Sequence, residues 1–288
     1  MAGVRIGVVG SGSMAEAMLS GLLARGLVEP GHVICSHPRP ERRAQLEGLL
    51  GVATSAGNAD AVAGCDVVLL AVKPQVLPEV MPELRAALRP EQLVLSVIAG
   101  AGTGTLGTGL GHPAIVRSMP NTPATIGQGV TVWYATPSVT EEGKARTRVM
   151  LGALGREFEV HDERQVAMAT AVSGSGPTYI FLFIEAMIDA AVHLGFPRHV
   201  ARELVLDTVQ GSAAYALASG RHVAELREAV TSPAGTSAEA LYQLERGGLR
   251  TVVSDAVWAA FQRVTEIEAG LLAPERARFP ERREPRLG

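Results

Sequence analysis

At 288 residues, 47% of them hydrophobic, the chain is long enough for about two domains and carries enough apolar material for a sizeable core. Aromatics are only 4%, so the apolar content is mostly Ala, Val and Leu, which suits helices packed closely on a parallel sheet. A net charge of −3 excludes the basic field of a nucleic-acid or anionic-membrane binder. The two cysteines, Cys35 and Cys65, argue against a disulfide framework and fit a reducing cytoplasm.

In chain order, the first half predicts strands at Val4–Val9, His32–Ser36, Val67–Val72, Leu93–Ile98, Ala114–Ser118 and Val130–Ala135, with a seventh near Phe158–Val160. Helices are expected at Ala15–Arg25, Arg42–Leu50 and Pro78–Leu88. Strand, helix and strand in repetition imply right-handed βαβ units and a doubly wound parallel sheet covered on both faces. From about Arg164 the texture becomes helical throughout: Pro177–Leu194, Pro197–Ser219, Val223–Thr231, Ser237–Arg246 and Leu249–Ala269. These patterns predict an α/β domain over 1–163, an all-α domain over 164–272 and a disordered, charged and proline-rich tail over 273–288.

No signal peptide is read at the N-terminus, where the first apolar run is short and interrupted by glycines. No run of about 18 consecutive apolar residues is present; the longest, near Tyr179–Leu194, is broken by Glu185 and Asp189. The expectation is a cytoplasmic protein with no membrane or nucleic-acid partner. The histidines are scattered and no His/Cys group has metal-ligand spacing, so no metal is expected.

The first strand ends in Gly10-Ser11-Gly12-Ser13-Met14-Ala15, a G-x-G-x-x-A pattern. Gly10 permits the tight turn, Gly12 lets the backbone approach a pyrophosphate, and Ala15 lets the helix pack on the strand. The helix N-terminus then offers free N–H groups and a partial positive charge to the phosphates. Gly10, Gly12, Ser13, Met14 and Ala15 are therefore expected to contact a dinucleotide; the alternative is a plain strand–helix turn.

The second strand ends without the acidic residue that binds a ribose 2′-hydroxyl in NAD sites. It reads Ile34-Cys35-Ser36-His37-Pro38-Arg39. Ser36 can hydrogen-bond a 2′-phosphate and Arg39 can pair with it, which favours NADPH; use of NADH stays open. Arg42 or Arg43 could substitute for Arg39, and Arg39 could equally be a solvated loop residue.

Five further stretches occur in order: Ala71-Val72-Lys73-Pro74-Gln75, Ser96-Val97-Ile98-Ala99-Gly100, Arg117-Ser118-Met119-Pro120-Asn121-Thr122-Pro123, Ala171–Tyr179 with Ser173-Gly174-Ser175-Gly176-Pro177 at its centre, and Val230–Ser237. Together they resemble the Δ1-pyrroline-5-carboxylate reductases over about Val4–Ala269. The resemblance implies an N-terminal Rossmann-like domain that binds NAD(P)H and an all-α helical dimerisation domain that carries much of the substrate pocket. It implies homodimers, which in that family commonly assemble into decamers. It also implies the reaction, hydride transfer to C5 of a cyclic imine to give L-proline.

By that resemblance Ser232, Pro233, Ala234, Gly235, Thr236 and Ser237 hold the substrate carboxylate, as exposed N–H groups at a helix start can. A hydroxyl of the Thr236–Ser237 pair, Ser237 above all, faces the ring nitrogen. Ala234 stands where the family usually has glycine, and Ser237 where it more often has threonine. Thr170, Ser175 and Gly176 line the substrate pocket, while Met119, Pro120 and Asn121 border the nicotinamide. Ala71, Val72, Lys73, Pro74, Ala99 and Gly100 sit at carboxyl ends of strands on the cofactor side, and Asn58 on the adenosine side. A β-hydroxyacid dehydrogenase would need a catalytic lysine in the helical half, and residues 164–270 contain none. A deazaflavin-dependent NADP reductase would share the first domain without needing residues 232–237, and a non-catalytic NADPH sensor would bind cofactor without turnover.

Overall fold

The structure, a computed structural model, describes Met1 and residues 3–272. The expected disordered tail lies outside the described residues. The chain divides into two compact units, Met1–Ser175 together with the residues from Ala260 on, and Gly176–Ala259.

The first unit is built on one sheet of eight strands in the order β3-β2-β1-β4-β5-β6-β7-β8. The strands are β1 (Ile6–Val9), β2 (Val33–Ser36), β3 (Ala53–Ser55), β4 (Val67–Leu70), β5 (Leu93–Ser96), β6 (Ile115–Met119), β7 (Gly129–Ala135) and β8 (Gly155–Glu159). Strands β1 to β6 run parallel, and the central β1, β4 and β5 are buried on both faces, which explains why they read as unbroken apolar runs. The expectation of an all-parallel sheet is corrected at one place: β7 runs antiparallel to β6, with Ser118 opposite Trp133. The β6–β7 connection holds only a 3₁₀ turn at Thr122–Ile126, too short for the crossover that parallel pairing needs. Strand β8 returns parallel to β7 through a helix at Glu141–Gly152.

Helices α1 (Ser13–Ala24), α2 (Pro40–Leu50), α3 (Asn58–Val62), α4 (Leu77–Ala87), α5 (Thr103–Leu110) and α6 (Glu141–Gly152) connect the strands. Two apolar clusters form the core. One joins β1, α1 and Trp133, and the other joins β4, α4, α5 and Ile98. Helix α7 (Arg164–Ala169) continues into a π-helical turn at Thr170–Gly174.

The second unit is helical: α8 (Gly176–His193), α9 (Arg198–Ser219), α10 (Val223–Ala229), α11 (Thr236–Arg246) and the start of α12 (Leu249–Leu272). Its apolar side chains are largely exposed, among them Phe181, Leu182, Leu217, Tyr242, Val252 and Trp258. By length and mean hydropathy (1.3) alone, the helical run Arg164–His193 is apolar enough to cross a bilayer, although Glu185 and Asp189 interrupt it.

Buried Arg117, on β6, ties the end of α12 to the sheet unit. Its guanidinium pairs with Glu163 at 3.0 Å and with Glu268, and Glu163 also accepts from the Thr103 backbone N–H at 2.6 Å. The sequence reading placed Arg117 inside a motif but gave it no task. A buried cation shared by two carboxylates holds distant parts of the chain in one arrangement.

Candidate active site

Strand β1 pairs with β2 on one side and β4 on the other, so the strand order reverses there. In such sheets ligands bind at the carboxyl ends of the strands flanking the reversal. Gly10 leaves β1 with φ +85°, and a Cβ there would stand 2.6 Å from Val72 Cγ1 and 2.7 Å from the Val72 nitrogen. This close approach brings the 10–12 loop against the Ala71–Pro74 segment. Gly12, at the N-cap of α1, differs: a Cβ there would meet no atom within 4 Å. The open space lies at a helix N-terminus whose first acidic residue is Glu16, and Ser13 beside it is exposed. Ala15 is buried against the core. The residues present therefore fit a dinucleotide diphosphate: a cradle that a side chain would fill, lined by N–H donors.

Behind the cradle, Ser36 is fully buried. Its hydroxyl donates to Asn58 Oδ1 at 2.7 Å, with the Val8 carbonyl at 3.3 Å. In this structure the Ser36 hydroxyl orients the Asn58 amide. Glu83, on α4, completes the arrangement. It accepts from the Asn58 N–H (3.0 Å), Asn58 Nδ2 (2.8 Å) and the Ala59 N–H (3.0 Å). These bonds, the Ala59 N–H foremost, hold the Glu83 carboxyl below its ordinary range. An acceptor-only carboxylate fixes which end of the Asn58 amide faces it. Glu83 was not found in the sequence because no spacing links it to Asn58.

Three arginines crowd the end of β2. Arg39 is exposed and has no carboxylate partner among the described residues. Arg43 donates to the His37 and Pro38 carbonyls at 2.9 and 3.0 Å. Arg42 reaches the glycine loop itself, donating to the Ser11 carbonyl at 2.9 Å. Burial, then the Arg39 and Arg42 charges, pushes His37 below its ordinary pKa, so this corner favours anions over a further cation. The Cys35 thiol beneath is pushed up to about 11 by burial and stays neutral.

Met119 ends β6 and packs on the π-helical turn, where a Cβ at Gly174 would be 3.0 Å from Met119 Cε. Asn121 follows Pro120 and joins β7 to the same turn. Its Nδ2 donates to the Ser173 carbonyl at 3.1 Å, and its Oδ1 accepts from the Val130 N–H at 2.9 Å. Both ends of the Asn121 amide thus hold the backbone, whereas the sequence had offered them to the nicotinamide. Thr170 donates its hydroxyl to the Val166 carbonyl at 2.9 Å, and the Ser175 N–H closes the turn on the Thr170 carbonyl at 2.8 Å. Single π-helical turns recur at functional sites, and this one gathers Met119, Asn121, Thr170, Gly174 and Ser175 in one place. Gly176 begins α8 in the second unit.

Lys73 is exposed and Pro74 opens the turn into α4, where the Leu77 N–H reaches the Pro74 carbonyl at 3.3 Å. Ala99 precedes Gly100, which has φ +74°, and a Cβ at Gly100 would fall 2.4 Å from Ile267 Cγ2. The glycine at 100 therefore answers to the C-terminal helix that covers it.

In the second unit, residues 232–235 turn into α11. The Gly235 N–H donates to the Ser232 carbonyl at 3.0 Å, and the Gly235 carbonyl accepts from Ala238 and Glu239. Among the described residues, the N–H groups of Thr236 and Ser237 and the Ser237 hydroxyl have no partner, and all of Ser232–Ala234, Thr236 and Ser237 are exposed. Ala234 has φ +59° and is the one non-glycine residue with positive φ among those described. A left-handed alanine costs roughly 1–2 kcal/mol, and glycine's added chain entropy offsets about 0.4–1 of that. Ala234→Gly is thus expected to stabilise the protein by about 0.5–1 kcal/mol, read as a small rise in melting temperature.

Residues 163–267 match the family model described as pyrroline-5-carboxylate reductase dimerisation, and residues 5–100 match that of coenzyme F420-dependent NADP oxidoreductases. The pyrroline-5-carboxylate reductase of Pseudomonas aeruginosa is 41% identical, over 91% of this chain and 96% of its own length. That of Pisum sativum is 37% identical over 91% and 95%. Among solved structures, a Plasmodium falciparum pyrroline carboxylate reductase with NADP bound superposes with a TM-score of 0.86 at 29% identity, covering 93% of this chain and 99% of its own.

Proposed function

The chain belongs to the pyrroline-5-carboxylate reductase family, and we propose that it reduces the C=N bond of L-1-pyrroline-5-carboxylate to L-proline, closing proline biosynthesis. The open cradle at Gly12, in a chain so closely related to these enzymes, carries the reading. When bound, the reduced nicotinamide supplies a hydride to C5 of the imine; the C=N pair passes to nitrogen, which carries one proton if the substrate arrives as the iminium. The chain's own tasks are then to bind, to orient and to exclude water. Residues 10–15 take the diphosphate. Met119 borders the nicotinamide, and Thr170 and Ser175 line the substrate pocket. The Thr236 and Ser237 amides take the substrate carboxylate, and the Ser237 hydroxyl meets the ring nitrogen.

The test is NADPH oxidation with pyrroline-5-carboxylate, run beside its six-membered homologue and beside NADH. Turnover with the five-membered imine supports the reading; cofactor binding without turnover would leave a sensor. We assign a preference for NADPH to Arg39, whose exposed guanidinium, without a carboxylate partner among the described residues, lies just beyond the end of β2. Arg39→Ala is expected to weaken NADPH about tenfold and NADH by less than twofold, and equal losses would remove the assignment.

Self-association accounts for the apolar surface of the second unit. A homodimer formed through the dimerisation domain would cover side chains such as Phe181, Leu182 and Trp258. Further assembly into decamers belongs to the same proposal and is read by light scattering.

A further inference from the structure

We propose that Arg42 is a positioning residue of the diphosphate loop: it aims the Gly12 N–H at the cofactor and does not read the 2′-phosphate. This rests on the dinucleotide reading of the Gly10–Ala15 turn. The Arg42 side chain is 13% exposed, and each nitrogen of its guanidinium is already engaged. Nε donates to the Ser11 carbonyl at 2.9 Å, Nη1 to Gln45 Oε1 at 2.7 Å and Nη2 to Glu16 Oε2 at 2.5 Å. A planar fork held at three points has no freedom to swing toward a phosphate on the ribose. Arg39, exposed and without a carboxylate partner among the described residues, has that freedom.

The consequence lies in the peptide between Ser11 and Gly12. A trans peptide points its C=O and its N–H in opposite directions. With the Ser11 carbonyl drawn to Arg42, the Gly12 N–H faces the other way. Among the described residues that N–H has no partner, and the space beside Gly12 is open. The Ser11 hydroxyl supplies a second anchor by donating to the Ser36 carbonyl at 3.1 Å. Arg42 also offsets the charge of Glu16, a carboxylate in the first turns of α1 that would otherwise repel a diphosphate. The diphosphate is common to both dinucleotides, so the loss of Arg42 acts on both alike.

The experiment measures dissociation constants of NADPH and NADH, together with kcat and melting temperature, for the wild type, Arg42→Ala and Arg42→Lys. Arg42→Ala is expected to weaken both cofactors about tenfold with saturated kcat within twofold of wild type. Arg42→Lys, which reaches one acceptor at a time, should fall between. Weakening of NADPH alone would overturn the proposal in favour of phosphate reading. Unchanged affinity for both would overturn it in favour of a brace for the fold only. If Arg42→Ala fails to fold, Gln45→Ala releases one anchor of the guanidinium at an exposed site without changing any charge and should weaken both cofactors about threefold; no change there also overturns the proposal. A wild type that binds neither dinucleotide would instead remove the reading of the turn itself.

Discussion

Gly12→Val is expected to fold normally and to lose dinucleotide binding by 100-fold or more, roughly 2.7 kcal/mol. Gly12 has φ −79° and ψ −171°, values any L-residue adopts. Its Cβ would touch no protein atom within 4 Å, so the backbone there accepts a side chain. The residual cost is that of a poor N-cap, about 1 kcal/mol, or a few degrees in melting temperature. The added carbons would occupy the space at the α1 N-terminus that a diphosphate needs for close approach. Gly10→Ala is the contrasting control. There φ is +85° and the new methyl would lie under 3 Å from Val72, so stability falls first and binding follows it. The pair is read by thermal melts beside fluorescence titration with NADPH. A Gly12→Val protein that binds NADPH normally would show that the turn is only a strand–helix connection.

The glycine loop was legible because its two glycines do different local jobs, and both follow from the strand–turn–helix pattern. Strands β1, β4 and β5 were legible for a related reason: a sheet buried on both faces leaves unbroken apolar runs. Helix α5 was not legible. Its sequence, TGTLGTGL, carries Gly104, Gly107 and Gly109, each unfavourable in an isolated helix by about 1 kcal/mol. Tertiary packing overrides that preference, since a Cβ at Gly109 would fall 2.2 Å from Met81 Sδ on α4. The reversal at β7 was missed because strand patterning carries no direction; the length of the connection decides it. At the site, the intramolecular partners of Ser36, Asn121 and Arg42 were not legible. Each is satisfied by a carbonyl or an amide far along the chain: Ser36 by Asn58, Asn121 by Ser173, Arg42 by Ser11. Such pairings exist only once the fold brings the segments together.

Ser237→Ala is expected to lower kcat/KM by 10- to 100-fold while leaving NADPH affinity and melting temperature unchanged. Ser237 is the second residue of α11, exposed, with no partner for its hydroxyl among the described residues. Removing that hydroxyl therefore breaks nothing recorded in the fold, and exposed substitutions of this kind stay within about 0.5 kcal/mol. A hydrogen bond to a charged partner contributes about 1.5–3 kcal/mol, which is the source of the expected range. The alanine keeps the backbone N–H, so the proposed carboxylate grip of Thr236 and Ser237 would survive and the loss would be confined to orientation of the ring nitrogen. Ser237→Thr restores the hydroxyl with one more methyl and should return activity to within a few-fold of wild type. The readouts separate this variant from Gly12→Val, which fails at cofactor binding before any imine is engaged. Kinetics unchanged by Ser237→Ala would leave the turn as a simple helix start, and would move the contact with the ring nitrogen to another residue.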